Sequence, residues 1–258
     1  MSAANERDYF FEIQRLTAGY NGRPAVTDIT VSIKKGQILT LIGPNGSGKS
    51  TILKSITKQL KPISGVIYIE GTAVENISGR EMSRRAAVVL TERPKPERMT
   101  CGDVAAAGRY PYTGMLGILS EKDKEKVHEA LRMVNAADLK DQYFSAVSDG
   151  QLQRIMLARA ICQEPEILVL DEPTSFLDVR YAVEILDILK NMAERRGVTV
   201  VMSLHELHYA KRVSDLVMCV KAGRVLRVDT PENIFTKEII SGLYDIPGVY
   251  YDQLYGGL

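Results

Sequence analysis

The chain has 258 residues, 45% hydrophobic and 25% charged, an ordinary globular composition with ample length for a core. Its 33 Lys+Arg against 32 Asp+Glu leave a formal charge of +1, which excludes a global basic field for nucleic acid or anionic lipid. Three scattered cysteines, Cys101, Cys162 and Cys219, form no CxxC pair and have no histidine at ligand spacing, which excludes a disulfide framework or a zinc site.

The N-terminus, MSAANERDYFFEIQRL, carries charges where a signal peptide needs an apolar run, and no stretch approaches the 18 or so apolar residues of a membrane span. A cytosolic protein with reduced thiols, not itself crossing a bilayer, is expected. Residues 29–33 (ITVSI) alternate apolar and polar as a half-buried strand does, and Lys34-Lys35-Gly36 reads as a turn. Residues 38–42 (ILTLI) form a nearly continuous apolar run ending at a glycine, which suits a strand of a parallel sheet buried on both faces. Ile52, Leu53, Ile56 and Leu60 recur at helical spacing until Lys61-Pro62, and residues 66–69 give a further short strand before Glu70-Gly71.

From about Arg93 to Gln163 strand signals are scarce. Ser120 reads as the N-cap of a charged helix reaching about Val134, and 148–163 as a second helix. Strands resume at 167–170 and 198–202, with an amphipathic helix around 182–195 between them, and Thr230-Pro231 opens another helix. The pattern is an α/β sheet domain interrupted by a helical insert. The tail 248–258, with Tyr250, Tyr251 and Tyr255, carries no functional signal.

Residues 43–50, GPNGSGKS, fit GxxxxGK[ST] between a buried strand and a helix, the context this motif requires. Glycines let successive N–H groups converge on phosphate oxygens, and a helix N-terminus adds a favourable dipole. Lys49 supplies a point charge for the β- and γ-phosphates and Ser50 a hydroxyl ligand for Mg²⁺, so the segment is expected to bind a nucleoside triphosphate. Residues 167–172, ILVLDE, provide the matching carboxylate at the end of a buried strand. Asp171 suits Mg²⁺, and Glu172 is placed to orient or deprotonate an attacking water.

With these motifs in hand the chain resembles an ABC-type ATPase. GPNGSGKST at 43–51, VSDGQLQR at 147–154, LDEPT at 170–174, SFLD at 175–178 and SLHE at 203–206 occur in the family's order and span nearly the whole chain. The resemblance implies a P-loop α/β core at about 1–90 and 164–258, an antiparallel β subdomain, and a helical subdomain at about 91–163. It implies ATP held by Gly43, Pro44, Asn45, Gly46, Ser47, Gly48, Lys49, Ser50 and Thr51, and Mg²⁺ held by Ser50 and Asp171. Ser148, Gly150 and Gln151 match the signature that caps the γ-phosphate bound by the other protomer. Asp149 departs from the commoner glycine, although Asp is well suited to a helix start. Glu172 matches the base that activates water, and His205 the histidine that contacts the γ-phosphate and the water; a structural role is the alternative for His205. His128 and His208 read as surface or packing residues. Asp178 matches a loop at the dimer interface, with a helix cap as the alternative. Tyr20 fits the aromatic that stacks on adenine, with a packed turn tyrosine as the alternative.

The family usually has a glutamine after the strand leading into the helical insert. Here Thr91 stands at that position and Glu92 follows; Glu92 is long enough to hold a metal-bound water, and Thr91 is too short. Met99-Thr100 and Gly108-Arg109-Tyr110-Pro111-Tyr112 resemble the ATP-binding subunits of bacterial importers for iron-siderophores, haem and cobalamin, a turn after a helix being the alternative. This implies a homodimeric ATPase at the cytoplasmic face of the membrane, docked through the 91–112 region on a separate permease and served by a substrate-binding protein, with no nucleic-acid partner. Two rivals are a non-transport ABC ATPase acting as a mechanical switch on DNA, ribosomes or a cofactor-assembly complex, and a P-loop small-molecule kinase. The first wants a long heptad arm or a basic stripe that the sequence lacks. The second leaves VSDGQLQR unexplained.

Overall fold

The structure, a computed structural model, describes residues 9–90, 96, 98–114, 117–175 and 177–255. The chain divides into two compact units, residues 1–78 with 199–258, and residues 79–198.

In the first unit, β1 (Phe11–Tyr20) pairs antiparallel with β2 (Arg23–Ile33), and β3 (Ile38–Ile42) leads through the glycine-rich loop into α1 (Lys49–Ile56). Next come β4 (Ser64–Ile69), which pairs with β1, and the short β5 (Thr72–Ala73). These strands make an antiparallel sheet in the order β2-β1-β4-β5. The apolar recurrence through Leu60 predicts a longer α1. The chain leaves the helix at the Thr57 cap because Lys58 is left-handed, φ 61°, and Leu60 N–H returns to Lys54 O at 3.0 Å.

The second unit opens with α2 (Gly79–Arg85) and β6 (Ala86–Val89), then gathers α3 (Cys101–Ala106), α4 (Glu121–Met133) and α5 (Asp149–Cys162). It continues with β7 (Ile167–Asp171), parallel to β6, and α6 (Val179–Arg196). Each of α3, α4 and α5 starts with a capping box, Thr100–Asp103, Ser120–Asp123 and Ser148–Gln151, in which the cap hydroxyl and the third residue's side chain satisfy backbone N–H groups that would otherwise be orphaned. α6 is capped by Asp178 and stopped by left-handed Gly197, φ 66°.

The first unit then resumes with β8 (Thr199–Ser203), α7 (Leu207–Val213), β9 (Leu216–Lys221) and β10 (Arg224–Asp229). β3 lies between β8 and β9, parallel to both, and β10 closes that edge antiparallel to β9. Every residue of β3, β7 and β8 is buried, the mark of strands covered on both faces. Fully burying a Leu, Ile or Val side chain contributes about 1.5–3 kcal/mol, so these strands are principal contributors to the core. α8 (Pro231–Ile234), α9 (Lys237–Tyr244) and α10 (Gly248–Tyr255) end the chain. Thr230 and Pro231 do open α8, but the Thr230 hydroxyl makes no cap bond. The tyrosine-rich segment 248–255 is helical: Tyr251 is buried and its hydroxyl donates to Phe235 O at 2.9 Å. Parallel-sheet α/β architecture, antiparallel β sheet and helical region are all present as expected. Among the described residues no helix is long and apolar enough to cross a membrane.

Candidate functional site

The loop at 43–50 is shaped by close backbone approaches from β2 and from the β9–β10 turn. Gly43 has φ 146°, and a Cβ there would lie 1.9 Å from Val220 O. Gly48, the N-cap of α1, has φ 108°, and its Cβ would lie 2.3 Å from Val26 Cγ1. No side chain fits at either position, and L-residues disfavour both conformations. Ser47 N–H donates to Pro44 O at 3.2 Å, while Ser47 O accepts from Gly223 N–H at 3.0 Å. Gly223 O in turn accepts from Thr27 N–H at 2.8 Å, so one turn braces the loop and β2 together.

The consequence is an anion receptor. α1 begins without a side-chain cap and with no acidic residue in its first turn, so its N-terminal dipole is not neutralised locally. Ser47 Oγ is buried without a partner. Lys49 is also buried, and its Nζ folds back to donate to Gly43 O at 2.8 Å and Pro44 O at 3.0 Å. Asn45 and Gly46 form an exposed lip, Pro44 and Ser50 are half-buried, and Thr51 is buried within α1.

His205 lies two residues beyond β8. Because Ser203 pairs with Leu41 and Leu204 N–H donates to Leu41 O at 3.2 Å, the β8–α7 turn and the glycine loop leave adjacent parallel strands at the same carboxyl end. Tyr20 ends β1 opposite Arg23 with 48% of its surface exposed, so it is not the packed turn tyrosine of the alternative reading. His128 and His208 are exposed, and His208 contacts the Tyr209 ring at 4.0 Å.

In the second unit, Asp171 ends β7, buried, one residue past the Val89–Leu170 pair. Glu172 follows with a left-handed backbone, φ 53°, and its carboxylate accepts from Ser175 Oγ at 3.0 Å. Thr91 and Glu92, the candidates for the coupling position, lie outside the described residues. Ser148 caps α5, its hydroxyl accepting from Gln151 N–H at 3.3 Å while Gln151 Oε1 accepts from Ser148 N–H at 2.9 Å. Asp178 is a helix cap, accepting from Tyr181 N–H at 3.0 Å, which leaves an interface role compatible since the residue is exposed. Sequence reasoning passed over Ser175, Gly223 and Tyr181. The short spacing from Glu172 to Ser175 was a usable signal; contacts such as Gly223 with Ser47 cannot be found without the fold.

The residues present fit a triphosphate and Mg²⁺. The orphaned Ser47 hydroxyl and the uncapped helix start are a donor and a positive end that suit an anion, and the amino group of Lys49 lies beside them on the loop carbonyls. Ser50 in the first unit and Asp171 in the second are each hard oxygen donors, the ligand type that Mg²⁺ takes. Among the described residues no cluster of three or more His, Cys, Asp or Glu stands ready for any other metal. All three cysteines are free and buried, and burial pushes the thiols of Cys162 and Cys219 up to about 12, so neither is a thiolate at neutral pH.

Comparison with known proteins adds a consistent set of relatives. Residues 26–175 match the ABC transporter family. The chain is 42% identical to an uncharacterized ABC transporter ATP-binding protein of Methanocaldococcus jannaschii, over 94% of this chain and 84% of the relative. It is 34% identical to the iron(3+)-hydroxamate import ATP-binding protein of Bacillus subtilis, over 90% and 87% of the two chains. Identity to the ferric enterobactin transport ATP-binding protein of Escherichia coli is 30%, over 95% and 90%. Among solved structures, an inward-facing ABC transporter provisionally described as of metal-chelate type matches with a TM-score of 0.82 at 25% identity, covering 93% and 90%. A dimeric bacterial ABC transporter cassette matches at 0.76 and 27%, covering 86% and 98%.

Proposed function

The chain belongs to the ABC transporter family as an ATP-hydrolysing cassette, and we propose that it is the peripheral ATPase of an importer for an iron-siderophore or related metal chelate. The nucleotide half of this reading is supported by the phosphate loop, whose glycine-shaped backbone, uncapped helix start and buried unpartnered hydroxyl suit an anion. The cargo half is supported by 34% and 30% identity, over most of both chains, to ATP-binding proteins whose names specify hydroxamate and enterobactin transport.

On this reading Lys49 exchanges its bonds to Gly43 O and Pro44 O for β- and γ-phosphate oxygens, and Ser47 Oγ gains the partner it lacks. Gly43, Pro44, Asn45, Gly46, Gly48 and Thr51 shape the remainder of the cradle, and Tyr20 offers its exposed ring to adenine. Ser50 and Asp171 hold Mg²⁺, which when bound neutralises developing phosphate charge. Glu172 orients the attacking water and accepts its proton, with Ser175 fixing the carboxylate. His205 holds the γ-phosphate side of that water. Ser148, Gly150 and Gln151 complete the partner protomer's site, and Asp178 lies at the dimer interface, so two copies enclose two ATP molecules. Closure and reopening of the dimer would move a permease at the cytoplasmic face of the membrane.

The test is to tag the protein, extract native membranes in mild detergent and identify what co-purifies. A multi-span permease at near-equal stoichiometry is expected, with a substrate-binding protein that retains a ferric chelate. Recovery only with ribosomes, nucleic acid or assembly factors would overturn the transporter reading while leaving the ATPase intact.

A further inference from the structure

We infer that Tyr181 is a positioning residue that pins the start of α5 to the Asp178 turn within one protomer, so that both segments meet the partner's nucleotide as a single rigid edge. The inference rests on the dimer reading above.

Gly150 is the second residue of α5 and has ordinary helical geometry, yet glycine is the poorest helix former after proline. The neighbouring Asp149 is exposed and accommodates a full side chain. What distinguishes position 150 is the Tyr181 ring: a Cβ on Gly150 would lie 3.2 Å from Tyr181 Cδ2 and 3.6 Å from two further ring carbons. One turn on, the Arg154 guanidinium lies 5.0 Å from the centroid of the same ring, within cation–π range. Arg154 is itself anchored, its Nη1 donating to Asn135 O at 2.8 Å.

The other end of the pin is backbone. Tyr181 N–H donates to Asp178 Oδ1 at 3.0 Å, closing the cap of α6. A single residue therefore grips Gly150 and Arg154 with its ring and Asp178 with its main chain. Ser148 and Gln151 spend their capping bonds on each other, which orders the α5 start internally. Tyr181 ties that start to Asp178. A ring serving only as filler between α5 and α6 would affect folding; a pin would affect assembly around ATP.

The experiment uses the Glu172→Gln protein, which is expected to bind ATP without turning it over, and follows ATP-dependent dimerisation by sedimentation velocity. Tyr181→Ala is expected to raise the ATP concentration for half-dimerisation about tenfold, the scale of a lost desolvated cation–π contact. Monomer ATP affinity, measured at dilute protein, should be unchanged, and Tyr181→Phe, which keeps the ring and the N–H, should restore assembly. Tyr181→Leu, apolar and compatible with a helix, provides the same reading if the alanine variant does not fold. Gly150→Ala should weaken dimerisation in the presence of Tyr181 and much less beside Tyr181→Leu. Dimerisation of Tyr181→Ala and Tyr181→Leu at the parent's ATP concentration would overturn the pin. So would a loss of assembly matched by an equal loss of monomer ATP affinity. A Glu172→Gln parent that stays monomeric at saturating ATP would overturn the dimer reading itself, and the pin with it.

Discussion

Glu172 combines a reactive group with a backbone that ordinary residues avoid. Its φ of 53° places a non-glycine residue in the left-handed region, a conformation costing of the order of 1–3 kcal/mol. It is held there by the Ser175 N–H, which donates to Glu172 O at 3.2 Å, and by Ser175 Oγ on the carboxylate. Glu172→Gln keeps the shape, the backbone and the Ser175 contact but cannot accept a proton. ATP binding should therefore survive while steady-state phosphate release falls about 10²–10⁴-fold, the usual contribution of a positioned general base. Undiminished turnover would remove Glu172 from that role. At this scale the sequence was informative because the chemistry fixes residue types at set spacings: GPNGSGKS and LDE name Lys49, Ser50, Asp171 and Glu172 directly. It was silent on conformation. That Lys49 rests on loop carbonyls, that Gly43 lies against Val220 O, and that Glu172 is left-handed all depend on chain segments brought together by folding.

Helices and strands repeat the lesson with different causes. The starts of α4 and α5 were legible because Ser followed three residues later by Asp or Gln is a local signal, and local signals survive folding. β1 was not legible: bulges shift its register between Ile13 and Leu16 and again before Ala18, and Arg15 has φ 49°, so its inward residues never alternate cleanly. The segment Gly108-Arg109-Tyr110-Pro111-Tyr112 read as a subfamily mark or a turn, and the structure makes it a structural lock as well. Arg109 is buried; its Nε meets Asp123 Oδ1 at 2.9 Å, and its Nη1 meets Cys162 O at 2.6 Å and Glu164 Oε2 at 2.8 Å. Tyr112 covers the guanidinium at 4.0 Å and donates to Gln163 O at 2.8 Å. The Ser120 hydroxyl, with Arg109 beside it, holds the Asp123 carboxyl below its usual range, whereas Glu164 is raised by burial but brought lower overall by Lys126 and Arg109. Carboxylates lowered on folding stabilise the protein above their unfolded pKa, about 4, and that stability is lost as pH falls through the lowered values. Arg109→Met removes the cation from Asp123, which keeps its Ser120 hydrogen bonds, and takes a donor from buried Cys162 O; it should destabilise by about 1–3 kcal/mol at pH 7 in urea unfolding. Its stability should also depend less on pH below about 4, because the arginine's share of the depression is gone. A variant as stable as the parent, with the same acid limb, would show the cluster to be ornamental.

At the scale of the whole molecule, the phosphate loop, β2, β3, α1 and the β9–β10 turn all belong to the first unit. The loop is held by backbone contacts within that unit, and the interactions of a bound nucleotide add to them. A ligand that binds the folded state alone stabilises it by RT ln(1 + [L]/Kd), about 2.7 kcal/mol at a hundredfold excess over Kd. For a chain of this size about 1 kcal/mol moves the melting temperature by roughly 2–4 °C, so a non-hydrolysable ATP analogue with Mg²⁺ should raise it by roughly 5–10 °C. Lys49→Ala removes the amino group that Gly43 O and Pro44 O accept from, and with it the charge meant for the phosphates. Without nucleotide the variant should melt several degrees below the parent, since the Gly43 carbonyl that it releases is buried. With nucleotide it should gain little or nothing. Differential scanning fluorimetry of the two proteins, each with and without the analogue, separates the cases: an equal upward shift in both would mean that the nucleotide is held by something other than this loop.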